Sequence, residues 1–226
     1  MNQADRLLDR YTLPESLAFG EVFAPVMYRA DHCDGEWGEG GVIPFGDVLV
    51  NPASTAVQFG QQAFEGMKSY KLDGRSPTLF RPDCNFRRFA RSARRLSMPS
   101  VPAELFAAAL SELTTLLERF IPGGSGQSLY LRPTLFGLDS HFAVKNSERF
   151  AFFVLASPSD AYYAKPIRVM IERNACRAAV GGTGDCKVGG NYGASMQANE
   201  DCMSRGFDLP LWLDPDSAPT SRSCRP

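Results

Sequence analysis

The chain has 226 residues, 44% of them apolar, which is enough for a buried core in one large domain or two smaller ones. Lysine plus arginine (24) and aspartate plus glutamate (25) leave a net charge of −1 with the signs interspersed, so no global field points to nucleic acid or to a membrane surface. Six scattered cysteines without a C-x-x-C pair, and only two histidines, argue against a disulfide framework, a zinc centre and histidine-based acid–base catalysis.

Residues 1–6 lack the basic start and apolar stretch of a signal peptide. The longest apolar run, 150–156, is far too short to cross a bilayer and reads as a buried strand. The cysteines are therefore expected to be reduced thiols and the compartment the cytoplasm. Residues 22–30 read as a strand leading into a glycine-rich turn at 35–41. Segments 64–70 and 77–80 flank Leu72-Asp73-Gly74-Arg75, where Asp-Gly predicts a β-hairpin. The helical spacing of Phe86, Phe89, Ala93 and Leu96 predicts a helix over 85–96. Within it, Arg88 lies beside Ser92 and Leu96 at the margin of the apolar face, whereas Arg87, Arg91 and Arg94 project further from it. On this pattern alone the five arginines between Arg87 and Arg95 read as a solvated basic face.

A second helix is predicted over 103–120, opened near Pro102 and stopped before Pro122-Gly123-Gly124, with Leu105, Leu110, Leu113, Leu117 and Phe120 as its buried stripe. Strands follow at 129–135 and 150–156. Tyr130 and Arg132, two apart on the first of these, face the same side. The turn-rich stretch 157–166 is a candidate linker. Beyond it come a strand at 167–171, a glycine-rich loop, a helix at about 192–204 and a strand at 209–213. After Asp214 the apolar pattern stops.

The loop at 181–193 reads Gly-Gly-Thr-Gly-Asp-Cys-Lys-Val-Gly-Gly-Asn-Tyr-Gly. Its glycines permit positive φ and the close approach of a ligand. Two readings are open for Lys187: a solvated lysine on a surface loop, or an amine held to form a Schiff base with an aldehyde cofactor. The segment matches neither G-x-x-x-x-G-K-[ST] nor G-x-G-x-x-G.

This loop resembles the cofactor-lysine motif of the branched-chain aminotransferases, pyridoxal-phosphate enzymes of fold type IV. Four further blocks resemble the same family in its order and rough spacing: Phe64-Glu65-Gly66-Met67-Lys68, Leu79-Phe80-Arg81-Pro82, Ser92-Ala93-Arg94-Arg95-Leu96 and Leu129-Tyr130-Leu131-Arg132-Pro133. The resemblance runs from about Phe19 to Asp214. It implies an α/β (α+β) fold of two domains: a small N-terminal domain at 1–160, a linker at 161–166, and the start of the larger cofactor-lysine domain at 167–214. It further implies a homodimeric transaminase that moves the amino group of leucine, isoleucine or valine to 2-oxoglutarate through a pyridoxal 5′-phosphate Schiff base on Lys187. A D-amino-acid transaminase or an aminodeoxychorismate lyase shares the fold, but the arginine helix and the Leu-Tyr-Leu-Arg-Pro block favour the branched-chain type.

By the same resemblance, Lys187 is both covalent anchor and general base/acid. Arg88 binds the cofactor phosphate, Tyr192 stands near the phenolic oxygen, and Arg177 lies close to the cofactor. Tyr130 and Arg132 fall at the substrate pocket, Arg132 being suited to a second carboxylate, and Phe19, Phe59 and Phe64 line the apolar part. Three departures stand out. Phe59 replaces the usual tyrosine, and Phe142-Ala143-Val144 replaces the Leu-Gly-Val loop that reaches the neighbouring subunit. After Leu211-Trp212-Leu213-Asp214 the family has a glutamate that pairs with the pyridine nitrogen, and residues 215–226 supply none. The expectation is thus a C-terminally truncated member whose tail is an aberrant, frame-shifted segment. Its alternative is a catalytically dead or weakly cofactor-binding remnant.

Overall fold

The computed structural model describes residues 3–72, 74–163 and 165–214. The chain divides into two compact units, Met1–Tyr162 and Tyr163–Pro226. Asp73 of the expected hairpin and the tail at 215–226 lie outside the described residues.

In the first unit the elements are α1 (Gln3–Arg10), β1 (Val26–Cys33), β2 (Glu36–Trp37), β3 (Gly41–Pro44), α2 (Thr55–Phe59), β4 (Gln62–Phe64), β5 (Met67–Tyr70), β6 (Thr78–Leu79), α3 (Pro82–Arg95), α4 (Ala103–Leu116), β7 (Ser128–Gly137) and β8 (Phe150–Ser159). The strands form one antiparallel sheet in the order β2-β1-β8-β7-β5-β6, with β3 also beside β1 and β4 beside β7. The run at 150–156 is apolar throughout because β8 is buried on both faces, so alternation has no solvent side to mark. On one face Phe152 meets Phe89 of α3 at 5.9 Å and Phe106 of α4 at 6.1 Å between ring centroids. On the other face Phe153 stacks on Phe136 at 5.4 Å, with Met27 and Ala151 beside them.

Along β7, β4 and β5 keep one register: Phe64 faces Thr134 and Met67 faces Leu131. They are one strand interrupted at Glu65-Gly66, opposite Pro133 and Arg132. Glu65 N–H donates to the Pro133 carbonyl at 2.8 Å. Proline has no N–H to return, so the ladder opens at this point. Because partners across a ladder share a face, Glu65 lies on the helix-covered side. Phe64, Gly66, Tyr130 and Arg132 share the opposite side.

Several expected boundaries move. The first strand runs over Val26–Cys33 rather than 22–30, and a two-residue turn, Asp34 (φ 53°) and Gly35 (φ 83°), sends it straight back into β2. The segment at 35–41 is therefore a hairpin return and the entry to β3, not one open turn. The 85–96 helix begins three residues earlier, with Pro82 in its first turn, where a missing N–H costs nothing. The 103–120 helix ends as α4 at Leu116, followed by a 3-10 turn over Glu118–Phe120. Residues 157–159 belong to β8, not to a linker. β1 pairs with 150–154 only; beyond it that flank of β8 carries single backbone bonds, Ala24 N–H to the Ala156 carbonyl and Asp160 N–H to the Leu17 carbonyl, and Pro158 falls between them outside any ladder with β1.

The connection from β7 to β8 is closed at its base by Asp139. Its carboxylate accepts from Arg149 Nε at 2.7 Å and from the Glu148 and Arg149 N–H groups at 2.6 and 3.2 Å. Burial alone would push this carboxyl up; the hydrogen bonds from Arg149 and the two amides outweigh it and hold it at about 2. The unfolded chain then binds a proton more readily, so the stabilisation is complete above the ordinary aspartate range and is lost as pH falls towards 2. Asp139→Asn is expected to cost about 1–2 kcal/mol at pH 7, discounted because Arg149 is solvated. In denaturant melts the gap between variant and parent should close as pH drops from 4 to 2, and a pH-independent gap would contradict this.

In the second unit β9 (Val169–Glu172) and β10 (Leu209–Trp212) pair in parallel, Val169 opposite Leu209 and Glu172 opposite Trp212. A parallel pair needs a crossover. The glycine-rich loop, α5 (Gly189–Gly193) and α6 (Met196–Ser204) supply it. The single helix expected over 192–204 is thus two. Ser195 Oγ donates to the Tyr192 carbonyl at 2.8 Å and Asn199 Nδ2 to the Ser195 carbonyl at 2.8 Å. Side chains compete with the helical ladder at that break. Among the described residues no helix is long and apolar enough to cross a membrane. Cys33, Cys84, Cys176, Cys186 and Cys202 are unbridged.

Candidate active site

Lys187 follows a loop whose shape depends on small residues and on one clamp. Gly181 takes φ +78°, and a Cβ on Gly184 would stand 2.5 Å from the Ala178 Cβ. Asn191 is buried and donates through Nδ2 to the carbonyls of Thr183 (2.7 Å) and Cys186 (2.9 Å), while Thr183 Oγ1 donates to its Oδ1 at 2.6 Å. The start of the loop is held by Glu172, whose carboxylate accepts the Asn174 and Ala175 N–H groups at 2.6 and 2.9 Å. Those amides draw the Glu172 carboxyl below its ordinary range despite partial burial.

On this frame Lys187 Nζ donates to Tyr192 Oη at 2.6 Å and lies 4.8 Å from the centre of the same ring. The Arg177 guanidinium lies 5.5 Å from that ring. Three residues expected from the sequence to act together are therefore neighbours: an amine, a phenol and a second cation. Of the three, Arg177 also lines a cavity of about 600 Å³, together with other residues of the loop up to Asp185 and with Trp212, Leu213 and Asp214.

In the first unit, Tyr130 and Arg132 project from β7 on the face away from the helices. Arg132 donates to Tyr130 Oη through Nε at 3.3 Å and Nη2 at 3.1 Å, and its guanidinium lies 4.9 Å from the centre of the Phe64 ring. Phe19 meets Tyr130 edge-on at 4.8 Å. Four of the five residues expected at the substrate pocket thus form one aromatic cluster around a guanidinium. Gly66 makes room for it: a Cβ there would fall 1.9 Å from Tyr130 Oη. Gly66→Ala is expected to displace the tyrosine and cost about 1–3 kcal/mol through overpacking. A thermal melt identical to that of the parent chain would show the site to be looser than described.

Phe59 stands apart from this cluster. It is exposed at the end of α2, near the ring of His141 (6.4 Å), beside a small cavity that Val144 also lines.

Arg88, on α3, reaches back under the sheet to Glu65. The pairing is bidentate, Nε to Oε1 and Nη2 to Oε2, the latter at 2.8 Å. Glu65 is fully buried, and its carboxylate also accepts from Asn85 Nδ2 at 2.9 Å and Gly66 N–H at 3.0 Å. Burial by itself would raise the Glu65 carboxyl; the Arg88, Asn85 and Gly66 hydrogen bonds overcome it and leave it below the ordinary range. The boundary position foreseen for Arg88 is observed, with 45% of its side chain exposed. Two residues that matter here, Glu65 and Asn191, carry no role in the sequence expectation. A signal exists for Glu65: a lone acid on the apolar-facing register of a strand.

The amino-transferase class IV family profile matches residues 62–222. Among curated proteins, the chain is 39% identical over 224 residues to a probable branched-chain-amino-acid aminotransferase of Staphylococcus aureus (strain MRSA252), covering 95% of this chain and 62% of that protein. It is 38% identical over 206 residues to branched-chain-amino-acid transaminase 1 of Bacillus subtilis (strain 168), covering 89% and 58%. Its fold is similar to that of the "T.th." branched-chain amino acid aminotransferase complexed with N-(5′-phosphopyridoxyl)-L-glutamate, with a TM-score of 0.69 at 24% identity over 87% of this chain and 60% of that one. The same enzyme with pyridoxamine 5′-phosphate gives a TM-score of 0.68. The chain spans about 60% of the length of these relatives. With a profile match over most of its length and a fold-type-IV architecture, the chain belongs to the class IV aminotransferases.

Proposed function

We propose that this chain carries the chemistry of a branched-chain aminotransferase, exchanging the amino group of leucine, isoleucine or valine with 2-oxoglutarate by means of pyridoxal 5′-phosphate. The observation that carries the reading is the contact of Lys187 Nζ with Tyr192 Oη beside Arg177. Within the second unit a primary amine suits an aldehyde and a phenol suits a phenolic oxygen; the assignment of the Arg88 guanidinium to the phosphate rests on its place in the family pattern. When bound, the cofactor supplies an electron sink that makes the Cα–H bond of an amino acid acidic.

What the protein itself contributes follows from its side chains. Lys187 would hold the cofactor through its ε-amine, and that amine, once free, would act as the general base and acid for the substrate Cα proton. The Tyr192 hydroxyl, held against Nζ, fixes where that amine rests. Arg132, backed by Tyr130 and by the Phe64 ring, offers a cation for the side-chain carboxylate of glutamate. Phe19 and Phe64 offer apolar surface to an aliphatic side chain, so one pocket accepts both substrate classes.

Phe59 lies with Val144 rather than with the other pocket residues, and Phe142 and Val144 are 78% and 91% exposed. Large apolar side chains this exposed suit burial against another surface. We assign them to a homodimer interface, through which they would meet the pocket of a second copy. A cytoplasmic setting agrees with the unbridged cysteines.

The test is to load the protein with pyridoxal 5′-phosphate and add L-leucine. A yellow absorption band that leucine bleaches, followed by glutamate formation once 2-oxoglutarate is added, supports the proposal. A folded protein that binds the cofactor but makes no glutamate from any of the three amino acids would overturn it.

A further inference from the structure

We propose that Glu65 is the positioning residue for Arg88: its buried carboxylate fixes the guanidinium plane and thereby sets the affinity of this chain for the phosphate of its cofactor. The inference rests on the reading of Arg88 as a phosphate ligand, and it deepens that reading.

Glu65 occupies a costly place. Its side chain has 0% exposure, on the helix-covered face of the β4–β5 strand, where its neighbours in register are Ala63 and Met67. An ionised carboxylate is retained at such a position only when it is paired and hydrogen-bonded. Three partners converge on it: Arg88 through two nitrogens, Asn85 through Nδ2 at 2.9 Å, and the Gly66 N–H at 3.0 Å. Asn85 and Arg88 are one turn apart on α3, so the carboxylate pins that turn to the sheet as well as pairing with the arginine. Asn85 Nδ2 also reaches the Gly66 carbonyl at 3.2 Å, which closes the arrangement around the strand interruption.

The consequence for Arg88 is directional. Its side chain is long, has many rotamers, and is 45% exposed. Alone, it would lose orientation to solvent. A carboxylate on the Nε edge of a planar guanidinium dictates where the Nη1 edge faces, and bidentate recognition of phosphate depends on that direction. The negative charge of Glu65 acts in the opposite sense, because it repels a phosphate beyond the guanidinium. The sign of the change on neutralising Glu65 therefore separates orientation from charge.

Glu65→Gln keeps the shape but turns an amide's N–H donors towards the donors of Arg88, which breaks the bidentate geometry. The readout is the dissociation constant of pyridoxal 5′-phosphate against that of pyridoxal, which lacks the phosphate, by absorbance titration of the folded protein. Glu65→Gln is expected to reduce the preference for the phosphorylated form by about 10-fold or more, the range of a charge-assisted hydrogen bond. Pyridoxal binding should not change. Arg88→Met should reduce the preference at least as much, and Glu65→Gln should add nothing in that background.

Asn85→Ala removes one donor from the carboxylate but keeps the ion pair. It should shift the same ratio by about 2–5-fold, which preserves the test if Glu65→Gln fails to fold. An unchanged or increased phosphate preference in folded Glu65→Gln, or an unchanged one in Asn85→Ala where the glutamine variant does not fold, would overturn the role of Glu65. If Arg88→Met itself leaves the ratio unchanged, the reading of Arg88 fails and the role of Glu65 falls with it.

Discussion

Lys187→Ala is expected to slow amino-group transfer from L-leucine by at least about 10²–10⁴-fold, the usual contribution of a positioned general acid–base. The loss of covalent anchoring adds to this. The structure separates the effect from folding. Lys187 touches the ring and hydroxyl of Tyr192, whereas the loop is clamped by Asn191 and Glu172. The variant should therefore melt at the parent temperature while losing activity, and a small amine added in solution should restore part of the rate. Steady-state rates with L-leucine and 2-oxoglutarate, alongside a thermal melt, decide it. Activity within a few-fold of the parent would remove Lys187 from the chemistry.

The largest expected loss of stability lies at Phe152, in the first unit. Its ring is fully buried on β8 and meets Trp37, Phe89 and Phe106, so it joins β2, α3 and α4 to the centre of the sheet. Phe152→Ala removes the ring and leaves a cavity, at a cost of about 3–5 kcal/mol. For a unit of this size that is a fall in melting temperature of about 6–20 °C. Phe142→Ala is the control: 78% exposed, it should change the stability of the single chain by no more than about 0.5 kcal/mol. Differential scanning calorimetry on both variants distinguishes them, and equal melting temperatures would show that the core is centred elsewhere.

Much of this fold is legible in the sequence because its elements obey local rules. The α3 and α4 stripes have helical spacing, α4 opens after a proline, and β7 alternates in burial from Leu129 to Gly137. What escapes sequence reading is set by partners distant along the chain. β8 continues through Ser157, Pro158 and Ser159, a composition typical of turns, because β7 supplies a ladder on one side and nothing on the other demands the proline's missing N–H. The gap between β4 and β5 comes from Pro133 on the facing strand. The helix break at Ala194-Ser195 falls where the Tyr192 and Ser195 carbonyls are shared between backbone N–H groups and the side chains of Ser195 and Asn199.

The candidate site divides in the same way. Strand alternation brings Tyr130 beside Arg132, whereas Lys187 reaches Tyr192 because the loop that carries it leads directly into α5. Family resemblance, not spacing, picks out Phe19 and Arg177; Phe19 meets the Tyr130 ring edge-on and the Arg177 guanidinium lies 5.5 Å from the Tyr192 ring. The separation of Phe59 from the other pocket residues is invisible in sequence, since Phe59 and Phe64, both in the stretch 59–64, look equivalent until the sheet assigns them to different places. Glu65 escapes for the opposite reason. It is conspicuous only once the strand register shows which face it occupies, and Arg88 supplies the explanation from the helix above.

Of the five lysines of the chain, Lys187 is expected to be the one that binds the cofactor covalently. Borohydride reduction in the presence of stoichiometric pyridoxal 5′-phosphate, followed by peptide mapping, tests it most directly. The expected result is a single phosphopyridoxyl-tagged peptide containing Lys187. A map in which Lys187 is untagged, or tagged no more than Lys68, Lys71, Lys145 and Lys165, would contradict it.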